Sequence, residues 1–133
     1  MHTRQLVLMF LLLCGIAYGF RKFPLAAAPM VSAARGDVDV DHDNNGNTKL
    51  KVTAEYLTPP NGLTPPVTAY IVWIQEPGGM PQAQGQFKVD KNRKAKFETV
   101  ISAKNFELFV TAEQDPTIKA PSGAEILKAT IQP

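Results

Sequence analysis

The chain has 133 residues, 44% of them hydrophobic, and a formal charge of +2 at neutral pH. That length and apolar content suit one domain with a two-layer core and argue against two domains. The charge is uneven: Arg4, Arg21, Lys22 and Arg35 fall at the start, while from Gly36 onward ten Lys and Arg stand against twelve Asp and Glu, a net −2 that argues against a nucleic-acid or other polyanion-binding domain.

Leu6 to Phe20 is an apolar run behind Arg4, followed by small residues, which is the layout of a secretory signal peptide. Its fifteen residues would make about 22 Å of helix, short of the roughly 30 Å hydrocarbon core, so export is favoured over a permanent span. Ala17-Tyr18-Gly19 and Val31-Ser32-Ala33 both have suitable residues for cleavage. Arg21 and Lys22, directly behind the run, resist translocation and keep an uncleaved N-terminal anchor as the alternative. Cys14 is the only cysteine; cleavage at either site leaves no thiol for a disulfide, a zinc site or a nucleophile. The expected organisation is a leader over 1–19, an Ala/Pro-rich tether over 20–35 and one folded domain over 36–133.

After the tether come short alternating segments separated by turn residues, the pattern of an all-β fold. Val38, Val40, Leu50, Val52, Ala54 and Tyr56 share one face of a first hairpin, and Asp37, Asp39, Asp41, Asp43, Lys49, Lys51, Thr53 and Glu55 share the other. A three-residue loop, Asn44-Asn45-Gly46, puts glycine at the left-handed position and pairs Val40 with Leu50, Val38 with Val52, Asp41 with Lys49 and Asp39 with Lys51. A two-residue loop would set Val40 against Lys51, so the apolar pattern selects the longer loop.

Further strands are expected at Val67–Glu76, Gly85–Asp90, Ala95–Ile101, Phe106–Glu113 and Ala124–Ile131, about seven in all. In Val67–Glu76, Tyr70, Val72 and Ile74 take one side and Ala69, Ile71 and Trp73 the other, so the strand is buried on both faces and Trp73 reads as core. The expected fold is a seven-stranded antiparallel β-sandwich, immunoglobulin-like in general architecture.

Few residues carry chemistry. Asp41, Asp43 and Asn45 with Gly46 match the first half of a calcium loop, but its twelfth position is Val52 where a bidentate Glu belongs. They are a weak calcium candidate, and otherwise no metal or cofactor is expected. His42, the only histidine outside the leader, sits at a hairpin tip with no Ser-His-Asp set around it, so no catalytic residue is assigned and the protein is read as a non-enzyme. Lys88, Lys91, Arg93, Lys94 and Lys96 cluster on a later hairpin and read as a solvated turn guarding a sheet edge.

Leu63-Thr-Pro-Pro66, Ala69-Tyr-Ile-Val-Trp-Ile74, Gly78-Gly79, Gly85-Gln-Phe-Lys-Val-Asp90, Phe109-Val-Thr-Ala-Glu113 and Pro121-Ser-Gly123 follow one another in order. This series resembles the extracytoplasmic C-terminal domain of anti-sigma-K factors over about residues 36 to 131. The resemblance implies a β-sandwich outside the cytoplasmic membrane with a sensing or partner-binding role. Because only five residues precede the apolar run, the sigma-binding domain of such factors is not expected here. The partner would be an envelope protein or ligand, with no nucleic acid, and with membrane contact only through an uncleaved leader.

Candidate contacts lie on the loops at both ends of the Trp73 strand and in the loop from Gln114 to Gly123: Pro59, Pro60, Asn61, Pro65, Pro66, Gly78, Gly79, Pro116 and Pro121. The alternative is a structural or surface-assembly module that pairs through an edge strand, with the terminal strand near Leu127 as the expected edge.

Overall fold

The computed structural model describes residues 20–132; the expected leader over 1–19, with Cys14 and the Ala17-Tyr18-Gly19 site, lies outside them. Nine strands follow in order: β1 (Phe20–Pro24), β2 (Ala26–Ala27), β3 (Arg35–His42), β4 (Thr48–Glu55), β5 (Ala69–Gln75), β6 (Gln82–Gln86), β7 (Ala95–Ile101), β8 (Phe106–Glu113) and β9 (Glu125–Ile131). They form two antiparallel sheets, in the orders β1-β3-β4-β7 and β2-β9-β8-β5-β6. The main core fills the space between the sheets: Val38, Val40, Leu50 and Val52 on one side, and Tyr70, Val72, Leu108, Val110 and Leu127 on the other. The protein is thus an all-β sandwich. Its layers are those of immunoglobulin-like domains, but β3 and β4 are consecutive neighbours, where the ABED sheet sets non-consecutive strands B and E side by side.

The first hairpin has the expected register at every pair: Val40 opposite Leu50, Val38 opposite Val52, Asp41 opposite Lys49 and Asp39 opposite Lys51. Gly46 takes φ +81°, and the Asp43 amide bonds the Asn47 carbonyl at 3.0 Å to close a three-residue loop. The apolar side of β4 alternates buried and the other side does not, because a period-two side-chain pattern can serve only one core face. On the outer face the closest partner of Asp39 is Lys22 of β1, at 3.9 Å, in place of Lys51.

β5 is buried on both faces over Ala69–Ile74 and lies between β8 and β6. Tyr70, Val72 and Ile74 enter the main core, whereas Ala69, Ile71 and Trp73 face outward and form a second small cluster with Phe109 of β8. Trp73 and Phe109, directly paired in register, stack with ring centroids 6.4 Å apart and planes 17° from parallel. Trp73 is fully buried, although it faces away from the main core. A covering element is therefore required.

Three expectations change. The segment 20–35 is no tether: β1 pairs with β3, β2 pairs with β9, and Leu25, Val31 and Ala34 are buried in the core. Arg21 lies 5.1 Å over the Phe23 ring and donates to the Gln132 carbonyl at 3.0 Å, so the charges behind the apolar run serve the fold. Cleavage after Ala33 would remove both strands; cleavage after Gly19 would remove neither.

The expected strand Gly85–Asp90 is a crossover. β6 ends at Gln86 in one sheet, the Phe87 amide bonds the Tyr70 carbonyl at 2.9 Å, and Val89 already bridges to Ala95 in the other sheet. Finally, β9 is no edge at Leu127, which lies opposite Ala27 on one side and Val110 on the other.

Candidate functional site

β8 runs out of the sandwich at Glu113, opposite Ala69, where β5 begins. The chain then loops over 114–123 and returns as β9, while the Pro-rich connection of 58–68 enters β5 beside it. Antiparallel pairing of β5 with β8 thus brings both loops to one end of the sandwich.

The loop 114–123 is a strap held by a buried carboxylate. Glu113 is 1% exposed, and its two oxygens accept hydrogen bonds from Thr111 Oγ1 (2.6 Å), Ser122 Oγ (2.7 Å), the Ser122 amide (3.1 Å) and the Gly123 amide (3.1 Å). Trp73 Nε1 donates to the same Thr111 hydroxyl at 2.7 Å. The relay Trp73, Thr111, Glu113, Ser122 therefore ties the indole to the strap, and Ile118 on the strap packs against the cluster under it. Burial pushes the Glu113 carboxyl up, but the hydrogen bonds from Thr111, Ser122 and Gly123 outweigh it and hold the group below the ordinary glutamate value. Gly123 is required by close approach, because a Cβ there would collide with the Ala112 carbonyl oxygen and crowd Glu113.

The Pro-rich connection is fixed against the strap. Gln114 Nε2 donates to the Pro66 carbonyl at 2.9 Å, and the Thr68 amide donates to the Glu113 carbonyl at 3.0 Å. Tyr70 Oη donates to the Thr58 carbonyl, and burial raises its phenol to about 12. Between the two loops runs a groove of about 670 Å³, with Met30, Leu63, Pro65, Val67 and Ile118 as its apolar lining and Gln114 and Asp115 among its polar residues. Met30 is 51% exposed. Such a mixed apolar concavity, held by a rigid scaffold, is suited to binding.

The expected contacts divide between the two ends. Pro65 lines the groove and Pro66 helps fix it. Pro60 and Asn61 belong to the short 3-10 turn Pro60–Gly62, which Pro59 precedes and whose Gly62 amide donates to the Pro59 carbonyl at 2.9 Å. Pro116 and Pro121 bracket the middle of the strap. Gly78 and Gly79 lie at the opposite end; Gly78 borders a smaller hollow of about 450 Å³ with Gln75, Phe106 and Thr130. The expected contacts are mostly prolines and glycines, and the groove adds Met30, Leu63, Val67 and Ile118 to them. Ile118, the only large aliphatic residue in 114–123, was the signal available.

Of the calcium candidates Asp41, Asp43 and Asn45, Asp43 has both carboxylate oxygens engaged within its own loop, and Asp41 Oδ1 accepts the His42 amide at 2.9 Å. Asp43 Oδ1 accepts the amides of Asn45 (2.8 Å) and Asn47 (2.9 Å), and Oδ2 accepts Asn47 Nδ2 at 3.2 Å. The Asn47 amide bond is the chief cause that keeps this carboxyl below its ordinary value. Asp90 makes the same turn, taking the amides of Asn92 and Lys94, with Arg93 at φ +62° where the first loop has Gly46. Both aspartates are loop caps. His42 is exposed, and its Nδ1 lies 3.5 Å from Thr48 Oγ1. Among the described residues, no three His, Cys, Asp or Glu come together to hold a metal ion, and no helix is long and apolar enough to cross a membrane.

No protein-family model matches the chain, and a search of curated proteins returns no match.

Proposed function

We propose that the protein is a non-enzymatic β-sandwich binding module of the cell envelope, working outside the cytoplasmic membrane and holding a partner protein or ligand in the groove between the Pro-rich connection and the strap. The groove carries this reading: its walls are the two loops, and hydrogen bonds to Pro66, Glu113 and Thr58 fix both in place before any partner arrives. The apolar leader supports export, and release after Gly19 would free a chain that starts with β1. N-terminal sequencing of the exported protein should read Phe20; an N-terminus at Ala34 would contradict it.

In this reading the chain is similar to the outer domain of anti-sigma-K factors. Trp73, Thr111, Glu113, Ser122 and Gly123, which carry much of that resemblance, meet in one hydrogen-bonded set. In this chain those residues together hold the strap. The test is capture from envelope extracts by the immobilised protein, repeated with Met30→Glu and Thr64→Glu in the groove and Met80→Glu at the far end. Groove variants should lose the captured species about tenfold or more, the effect of desolvating one unpaired charge. Capture lost only with Met80→Glu would overturn the groove.

A second reading, assembly through an edge strand, is favoured by β7, which closes one side of its sheet and has Val100 57% exposed. Concentration-dependent association abolished by Val100→Pro, at an amide directed away from β4, would select it.

A further inference from the structure

We propose that Asn45 is a site of spontaneous covalent modification, rearranging with Gly46 through a cyclic imide to aspartate and isoaspartate, while the fold protects the second Asn-Gly pair, Asn61-Gly62. The reaction needs the amide nitrogen after the asparagine to lose its proton and reach the side-chain carbonyl carbon. A glycine in the following position leaves that nitrogen least shielded. The two pairs are the same dipeptide, both exposed, and differ in how the glycine amide is held and crowded.

At the first hairpin tip, Asn45 and Gly46 are both exposed, and a Cβ on Gly46 would meet nothing within 4 Å. The Gly46 amide is held only by a long bond of 3.3 Å to the Asp43 carbonyl. In the Pro-rich connection, the Gly62 amide is held by the Pro59 carbonyl at 2.9 Å inside a 3-10 turn, and the Thr58 methyl stands 3.0 Å from where its Cβ would be. Pro59 and Pro60 restrict the backbone torsions through which that turn would open.

The step balances with water as the only reagent. The Gly46 nitrogen bonds Asn45 Cγ, the Cγ–Nδ2 bond breaks, and ammonia leaves with the proton. Water then opens the imide at either carbonyl, giving aspartate, or isoaspartate with the main chain running through the former side chain. Both products put a new carboxylate beside Asp43. Isoaspartate also adds a backbone carbon to the three-residue loop that sets the β3–β4 register.

The full chain is incubated at mildly alkaline pH, folded or unfolded in urea, and each Asn-Gly peptide is followed by mass mapping and by enzymatic methylation of isoaspartate. In the folded chain Asn45 should convert about tenfold faster than Asn61, the factor of one ordinary hydrogen bond. In urea the ratio should fall to about one, since the chemistry of the two pairs is then alike. Asn45→Gln should remove most methylation of the folded chain. Equal folded-state rates, no conversion at Asn45, or methylation untouched by Asn45→Gln would each overturn the proposal.

Discussion

Glu113 is the residue on which the strap depends, because one carboxylate satisfies two backbone amides and two hydroxyls that would otherwise be left without partners. Glu113→Gln keeps the shape but turns an amide toward those donors, and should cost about 1–3 kcal/mol in urea unfolding. The folded-state value of Glu113 lies below its ordinary one, so its contribution is complete above about pH 4.3 and is lost as pH falls through the folded value. The variant should flatten that acid limb. Tyr70 has the opposite sign: raised from 10.0 to about 12, its contribution holds below pH 10 and is lost as pH climbs toward 12, which an absorbance titration of Tyr70→Phe against the parent would reveal. Trp73, the single tryptophan, reports on the same relay, so Glu113→Gln should shift its emission while Asp115→Asn should not. The residues Thr111, Glu113, Ser122 and Gly123 stood out in the sequence as parts of ordered motifs. Their convergence did not, because it follows from the return of the chain through 114–123, which no periodicity encodes.

The register of the first hairpin was legible, since a period-two apolar pattern and an Asn-Asn-Gly loop allow only one; Tyr56, expected on the apolar face, instead lies past the end of β4 at φ +55° and is 57% exposed. Gly46→Ala should cost about 1–2 kcal/mol through the left-handed backbone alone, because the added methyl has open space around it. β1 and β2 were hidden for the converse reason. Alanine and proline are poor strand formers, and two paired residues of β2 leave no alternation to detect. Pro24 is tolerated because β1 is the outermost strand of its sheet. A chain that begins at Ala34 loses the buried Leu25 and Val31 and strips one side of β3, and should be unfolded or aggregated where a chain beginning at Phe20 gives a cooperative transition in urea. Equal transitions would show that the first two strands add nothing.

At the scale of the molecule, the sandwich separates two sets of loops by the length of β5. The sequence marked both as candidates, and only the pairing of β5 with β8 shows that the strap joins the Pro-rich connection and leaves Gly78 and Gly79 at the far end. The most direct measurement is site-specific photo-crosslinking in intact cells, with the reactive group at Thr64 or Lys119 beside the groove and, in a separate variant, at the 81%-exposed Met80. A partner held in the groove gives one discrete adduct from Thr64 and Lys119 and none from Met80. The same adduct from Met80, with nothing from Thr64 or Lys119, would contradict that placement.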